Sequence, residues 1–237
     1  MKELSSESKL RYARQIAIRE IGLEGQKRIC SAKVLIIGCG ALGSMIAMQL
    51  AGAGVGHIGI ADYDTIDLSN LQRQIFFSTE ETGEPKVYSL SSRIKKLNPT
   101  IEVKVYNYLI TSQKAEEIFP EYDFIIDGTD NPDSKRTTGT VALKKNKPCC
   151  IGGVKDFGGQ IMTFLPGEPR FEDYFGIISD GGILPCSLSG VLGSAAAVCA
   201  SIQATEAIKW ITNSGDLLNG RLLRFDLLKD YFQIFTL

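Results

Sequence analysis

The sequence predicts an α/β fold: a Rossmann-like sheet, mostly parallel, with antiparallel additions at the C-terminal side and helices on both faces. Three observations predict it. Short apolar runs alternate with helical patterns through the first two-thirds of the chain. A glycine-rich turn, Gly38-Cys39-Gly40-Ala41-Leu42-Gly43, joins the first such run to a helical pattern. After Gly153 the alternation gives way to strand-like segments. A continuous apolar run marks a strand covered on both faces, and strand–helix–strand alternation marks βαβ units with a parallel sheet.

Residues 1–32 read as an N-terminal helical arm. Residues 34–38, Val-Leu-Ile-Ile-Gly, form the first strand, and the glycine turn leads into a helix over 42–52. Residues 58–62 are the second strand. Pro85 suits the first turn of a helix that runs to Leu97 and is ended by Asn98-Pro99. Residues 101–106 and 124–127 are the third and fourth strands. Asn131-Pro132 has the form of an N-cap and first helical position. Residues 149–151 make a fifth strand ending in Gly152-Gly153. Beyond it, 159–165 is a strand, 166–185 a Pro/Gly-interrupted loop, and a long helix of small residues reaches Trp210. Residues 221–237 form a hairpin. No repeat, linker or low-complexity tract divides the chain, so residues 1–237 read as one domain.

Composition excludes several functions. Lys plus Arg number 26 against 27 Asp plus Glu, and no stretch is strongly basic, so nucleic acid and anionic membrane are not expected partners. The single histidine, His57, starts an apolar run and reads as structural, which leaves no multi-histidine metal site. None of the six cysteines forms a C-x-x-C pair. Cys149 and Cys150, ending a buried strand, read as packing residues. The charged N-terminus lacks a signal-peptide core, so the expected location is cytoplasmic, with reduced thiols. Residues 187–205 carry no charge but are rich in Ala, Ser and Gly, and Glu206 and Lys209 follow. They read as a helix packed closely on protein, not as a membrane span.

Gly38, Gly40 and Gly43 form a G-x-G-x-x-G between strand and helix, where backbone N–H groups can approach a phosphate at a helix N-terminus. Asp62 ends the second strand 19 positions after Gly43, where an acid binds a ribose hydroxyl. That pattern alone fits NAD, FAD, SAM or ATP. Arg73 and Lys86 add two cations, more than a nicotinamide diphosphate requires, and suit a triphosphate under attack by a carboxylate. Asp130, past the carboxyl end of the fourth strand, is placed to hold Mg²⁺ beside those phosphates. An NAD- or FAD-dependent oxidoreductase explains the glycine turn and Asp62 but not Arg73, Lys86 and Asp130.

The sequence resembles the ThiF/MoeB/HesA family, bacterial relatives of ubiquitin-activating enzymes. The resemblance rests on Arg11-Tyr-Ala-Arg14-Gln15, Gly38-Cys-Gly-Ala-Leu-Gly-Ser44, Ala61-Asp-Tyr-Asp64 and Asp67-Leu-Ser-Asn-Leu-Gln-Arg-Gln74. It continues through Gly83-Glu-Pro-Lys86, Asp127-Gly-Thr-Asp-Asn131, and Gly190-Val-Leu-Gly193 leading to Ile202-Gln-Ala-Thr-Glu-Ala-Ile-Lys209. It implies adenylation, with MgATP, of the C-terminal glycine of a small β-grasp sulfur-carrier protein ending in Gly-Gly. Sulfur transfer to that carrier then serves thiamine, molybdopterin or related synthesis. By the resemblance, Asp62 is the ribose-binding acid, and Asn70, Arg73 and Lys86 are the phosphate-binding set. Ala41, Asp64, Gln74 and Asn131 belong to the same nucleotide motifs, and Asp130 is the magnesium ligand. Arg14 resembles an arginine that reaches across a homodimer interface into the partner's site. Residues 33–153 then form the nucleotide-binding core, and residues 154–237 the carrier-binding and dimerisation part. A partner-binding relative without turnover is the alternative within the same resemblance.

The sequence departs from the family in places. Where relatives carry the first C-x-x-C pair of a structural zinc site it reads Pro169-Arg-Phe-Glu-Asp-Tyr-Phe175, so zinc is not expected. Gly139 and Ser194 stand where relatives often have Asn and Pro. Cys186, four residues before Gly190, occupies the register of a cysteine that in ThiF-like members links covalently to the carrier. It also precedes a long helix whose N-terminus lowers a thiol's pKa. MoeB-type adenylation proceeds without that thiol.

Overall fold

The computed structural model describes residues 3–167 and 190–237. Most of the loop expected over 166–185, and Cys186, lie outside the described residues. Eight strands form one mixed sheet: β1 (Lys33–Ile37), β2 (His57–Ala61), β3 (Glu102–Tyr106), β4 (Phe124–Asp127), β5 (Cys149–Lys155), β6 (Gly158–Phe164), β7 (Arg221–Asp226) and β8 (Tyr231–Thr236). Their order is β3-β2-β1-β4-β5-β6-β7-β8. The strands from β3 to β5 in that order are parallel, with Val34 opposite both Ile58 and Phe124. The pairs β5–β6, β6–β7 and β7–β8 are antiparallel. Strand order therefore reverses between β1 and β4, which opens a crevice at their carboxyl ends, the place where such sheets bind ligands.

Helices cover both faces. On one lie α3 (Gly22–Ser31), α4 (Ala41–Ala53), α5 (Lys86–Leu97) and α8 (Gly193–Thr212), packed through Ile29, Ile46, Leu90 and Ala200 onto Ile36, Ile60 and Ile126. On the other lie α6 (Ser112–Ile118) and α7 (Pro132–Lys144), packed through Ile118 and Val141 onto Leu35, Ile125 and Ile151. Alternate residues of β1 and β4 thus feed opposite cores, the burial expected of their uninterrupted apolar runs. The small residues of α8 let it lie close to the sheet. A side chain at Gly152 would come within 2.4 Å of the Gln203 carboxamide and 2.9 Å of Cys199 Sγ.

That close approach corrects the expected end of β5. The strand does not stop at Gly152-Gly153 but continues to Lys155, because Gly152 pairs with Ile161 and Gly153 with Gln160 of β6. Gly152 makes room for α8. Pro85 is the N-cap of α5 and not a residue of its first turn. Helix α6, N-capped by the Thr111 hydroxyl, was not expected: it has seven residues and buries only Ala115 and Ile118. Asn131 caps α7 as expected, its side-chain oxygen accepting the Ser134 N–H at 2.8 Å.

The arm contains α1 (Ser6–Arg11), α2 (Ala13–Ile16) and α3. The buried Tyr12 hydroxyl accepts a hydrogen bond from Asn98 Nδ2 at 2.7 Å, and the same nitrogen donates to the Ala51 carbonyl at 3.0 Å. Gln15 donates to the Ala53 carbonyl at 3.0 Å. These bonds fix α2 against the C-terminal end of α4. No helix among the described residues is long and apolar enough to cross a membrane.

Candidate active site

A cavity of about 480 Å³ opens at the carboxyl ends of β1, β2 and β4. Its floor is the glycine turn. Gly38 has φ +87°, a conformation open to glycine, and its N–H donates to the Ala61 carbonyl at 2.7 Å. Gly43 does not line the cavity; a Cβ there would sit 1.7 Å from the Gly38 carbonyl oxygen, so its absent side chain lets α4 start directly behind the turn. Gly40 and Ala41 do line it and begin α4. The helix N-terminus therefore faces the cavity with its unpaired N–H groups.

Asp62 lies on the cavity wall and ties β2 to the turn. Its carboxylate accepts the N–H of Cys39 at 2.6 Å and of Asp64 at 2.9 Å. Burial raises its pKa, and those two backbone bonds with the Lys86 charge oppose the rise. The residues after Asp62 fold back onto the start of α5: the Lys86 N–H donates to the Asp64 carbonyl at 3.0 Å, and Lys86 Nζ reaches the Asp64 carboxylate at 3.1 Å. Lys86 is buried and Asp64 exposed, so part of the lysine's charge is already matched.

Arg73 follows the short helical turn Leu68–Asn70. Its backbone N–H, and that of Gln74, donate to the Asn70 carbonyl. Arg73 makes a hydrogen bond from Nη1 to the Ser69 carbonyl at 3.1 Å and no ion pair among the described residues. Gly193, at the start of α8, allows this turn to pack tightly: a Cβ there would meet the Gln72 carbonyl at 3.1 Å. Gln74 is buried on the wall, and its Oε1 has no hydrogen-bond partner among the described residues. Asp130 and Asn131 line the opposite side, and the Asp130 carboxylate is exposed without a hydrogen-bond or ion-pair partner among the described residues.

The structure thus brings together Gly38, Gly40, Ala41, Asp62, Asp64, Arg73, Gln74, Lys86, Asp130 and Asn131 around one cavity. Asn70 and Gly43 do not line it. Arg14 lies exposed on α2, whose neighbour Gln15 holds the C-terminal end of α4. The cavity sits at the N-terminal end of that 13-residue helix, about 19 Å away at 1.5 Å per residue. Among the described residues no cluster of three or more His, Cys, Asp or Glu could by itself hold a metal. The thiols of Cys39, Cys149 and Cys150 are raised by burial, and that of Cys199 is pushed up to about 12. These are packing residues.

Sequence reasoning missed Lys135, which lines the cavity one helical turn beyond the Asn131 cap, and the wall segment Tyr108–Ile110 past the carboxyl end of β3. Position past a strand's carboxyl end was the available signal for the second. It also missed a larger hollow, about 940 Å³, between the β5–β6 turn and β7–β8. Gly153 and Val154 line both spaces.

The profile described as the ThiF family matches residues 12–237. The chain is 38% identical over 240 residues to the probable adenylyltransferase/sulfurtransferase MoeZ of Mycobacterium tuberculosis, covering 99% of this chain and 61% of that protein. It is 36% identical over 233 residues to the sulfur carrier protein adenylyltransferase of Thermus thermophilus, covering 95% of this chain and 86% of that one. It thus spans about three fifths of the MoeZ length. In structure it is similar to PaaA, with a TM-score of 0.84 at 23% identity, over 100% of this chain and 75% of that one.

Proposed function

Because the chain belongs to the ThiF family, we propose that it is an adenylyltransferase that activates the C-terminal glycine of a small ubiquitin-like sulfur carrier with ATP. Relatives named for that activity support the reading. The observation that carries it is one cavity lined at once by a helix N-terminus, Asp62, Arg73, Lys86 and the unpaired Asp130. A dinucleotide oxidoreductase has no use for the last three.

The chemistry needs little from the protein beyond position and charge. The carrier's terminal carboxylate is ionised at neutral pH, so no general base is required. A carboxylate oxygen attacks the α-phosphorus, the bond from that phosphorus to the β-bridging oxygen breaks, and pyrophosphate departs with the electron pair. The turn's backbone N–H groups, Arg73 and Lys86 hold the phosphates and balance the charge that grows on the leaving group. Asp62 accepts the ribose hydroxyls with the lone pairs that Cys39 and Asp64 leave free. One free carboxylate beside bound phosphates suits Mg²⁺, whose remaining positions are commonly filled by phosphate oxygens and water. Asp130 would hold that ion, which supplies charge neutralisation when bound.

The carrier's body belongs, in this reading, on the second hollow and the exposed apolar strand β8, and its extended tail runs past Gly153 and Val154. The distance of Arg14 from its own cavity supports a role in the partner's site of a homodimer. The free thiols of the described cysteines suit a cytoplasmic setting. ATP–pyrophosphate exchange tests the whole reading. Exchange should appear with a carrier ending in Gly-Gly and vanish when the terminal glycine is removed; exchange indifferent to that glycine, or absent with every such carrier, overturns it.

A further inference from the structure

Lys135 lines the cavity but has no proton to offer a phosphate. Its Nζ donates to Asp127 Oδ1 at 3.0 Å, the Thr129 carbonyl at 2.6 Å and the Gly152 carbonyl at 2.7 Å. An ammonium has three donors, and all three are used. The acceptors come from two segments: the loop at the end of β4, through Asp127 and the residue directly before Asp130, and β5. The same Asp127 oxygen also accepts the Thr129 N–H at 3.0 Å and hydroxyl at 2.8 Å, which curls the chain so that Asp130 faces the cavity. Gly128 is wedged against the glycine turn, where a Cβ would sit 2.9 Å from the Gly43 nitrogen. The loop cannot move toward the turn, and Lys135 keeps it from moving away.

We infer that Lys135 is a positioning residue that sets the pose of the Asp130 carboxylate and so the magnesium dependence of nucleotide binding. This rests on the proposed adenylation reading. Groups that orient a metal's ligand without touching the metal commonly change metal affinity by about 10–100-fold when removed. A residue that merely stabilised the fold would lower the folded fraction and leave the folded molecules' response to Mg²⁺ intact.

Isothermal titration with ATP, once in Mg²⁺ and once in EDTA, reads the difference. The wild-type chain should bind ATP more tightly in Mg²⁺. Lys135→Met should lose about tenfold of that gain, read as the ratio of the affinities in Mg²⁺ and in EDTA so that any change common to both cancels. In an Asp130→Asn background the substitution should have no further effect on the gain, since it acts through Asp130. Lys135→Met leaves Asp127 charged and buried; if it does not fold, Lys135→Met with Asp127→Asn removes both charges and carries the same expectation. Hydrogen exchange in the nucleotide-free protein should rise over residues 128–131 relative to α8. An unchanged Mg²⁺ gain, or an equal loss without the Asp130 carboxylate, overturns the inference alone. A wild-type chain that binds no ATP in either buffer overturns the adenylation reading and this inference with it.

Discussion

Strands β1, β2 and β4 bury almost every residue, whereas β8 exposes all six of its own, among them Tyr231, Phe232, Ile234 and Phe235. Those three parallel strands are sandwiched between helices, and their carboxyl ends carry the cavity. The antiparallel edge strand β8 loses that cover, and its apolar side chains stand exposed at the sheet edge. A sheet with both faces covered offers chemistry at its rim; one with an open face offers area. Exposed apolar patches of this kind mark sites of association. In the proposed function the first region binds the nucleotide and the second receives the protein whose tail is activated.

The sharpest way to break this division is Asp130→Ala. It should lower carrier-dependent ATP–pyrophosphate exchange by about a thousandfold, with the thermal midpoint unchanged because the side chain is exposed. Retained exchange would move the chemistry out of the parallel half. Replacing Phe232 and Phe235 together by serine should raise the KM for the carrier by about tenfold or more while leaving ATP affinity as it was. A fall in ATP affinity instead would show that the two halves are not separable.

The smallest effect lies in the parallel half but away from the cavity. Two hydrogen bonds from Arg93 to Glu81, at 2.5 and 2.7 Å, hold that carboxyl at about 2 against an ordinary 4.5. Its folded pKa is the lower one, so the stabilisation is fully present above about 4.5 and is lost as pH falls toward 2. Glu81→Gln should cost about 1 kcal/mol at neutral pH, a value discounted for partial exposure. It should also flatten the acid limb of denaturant-measured stability, with exchange activity untouched.

Much of the parallel core was legible because burial on both faces writes itself as uninterrupted apolar runs, as in Val34-Leu-Ile-Ile37 and Phe124-Ile-Ile. Helix α6 was not, since a short helix that buries two side chains leaves no periodic stripe. The glycine motif was legible as a pattern but not in its division of labour: Gly40 faces the cavity, while Gly43 only lets backbone pass backbone. Asn70 shares a motif with Arg73, yet it does not line the cavity. Lys135 was hidden because its acceptors lie at 127, 129 and 152, a meeting that only the folded sheet arranges. The run of β5 through two glycines was hidden for the same reason, its cause being the pairing of Gly152 with Ile161 and of Gly153 with Gln160 on β6.

In the proposed homodimer, the placement of Arg14 at the far end of α4 from its own cavity has a genetic consequence. Two inactive chains, one carrying Arg14→Ala and the other Asp130→Ala, should rescue one another when mixed and allowed to exchange subunits. Each hybrid pair would hold one whole site, with the aspartate from one chain and the arginine from the other, so random pairing would return about a quarter of the wild-type turnover. Mixtures that stay dead while hybrids form would return the arginine to a purely local role.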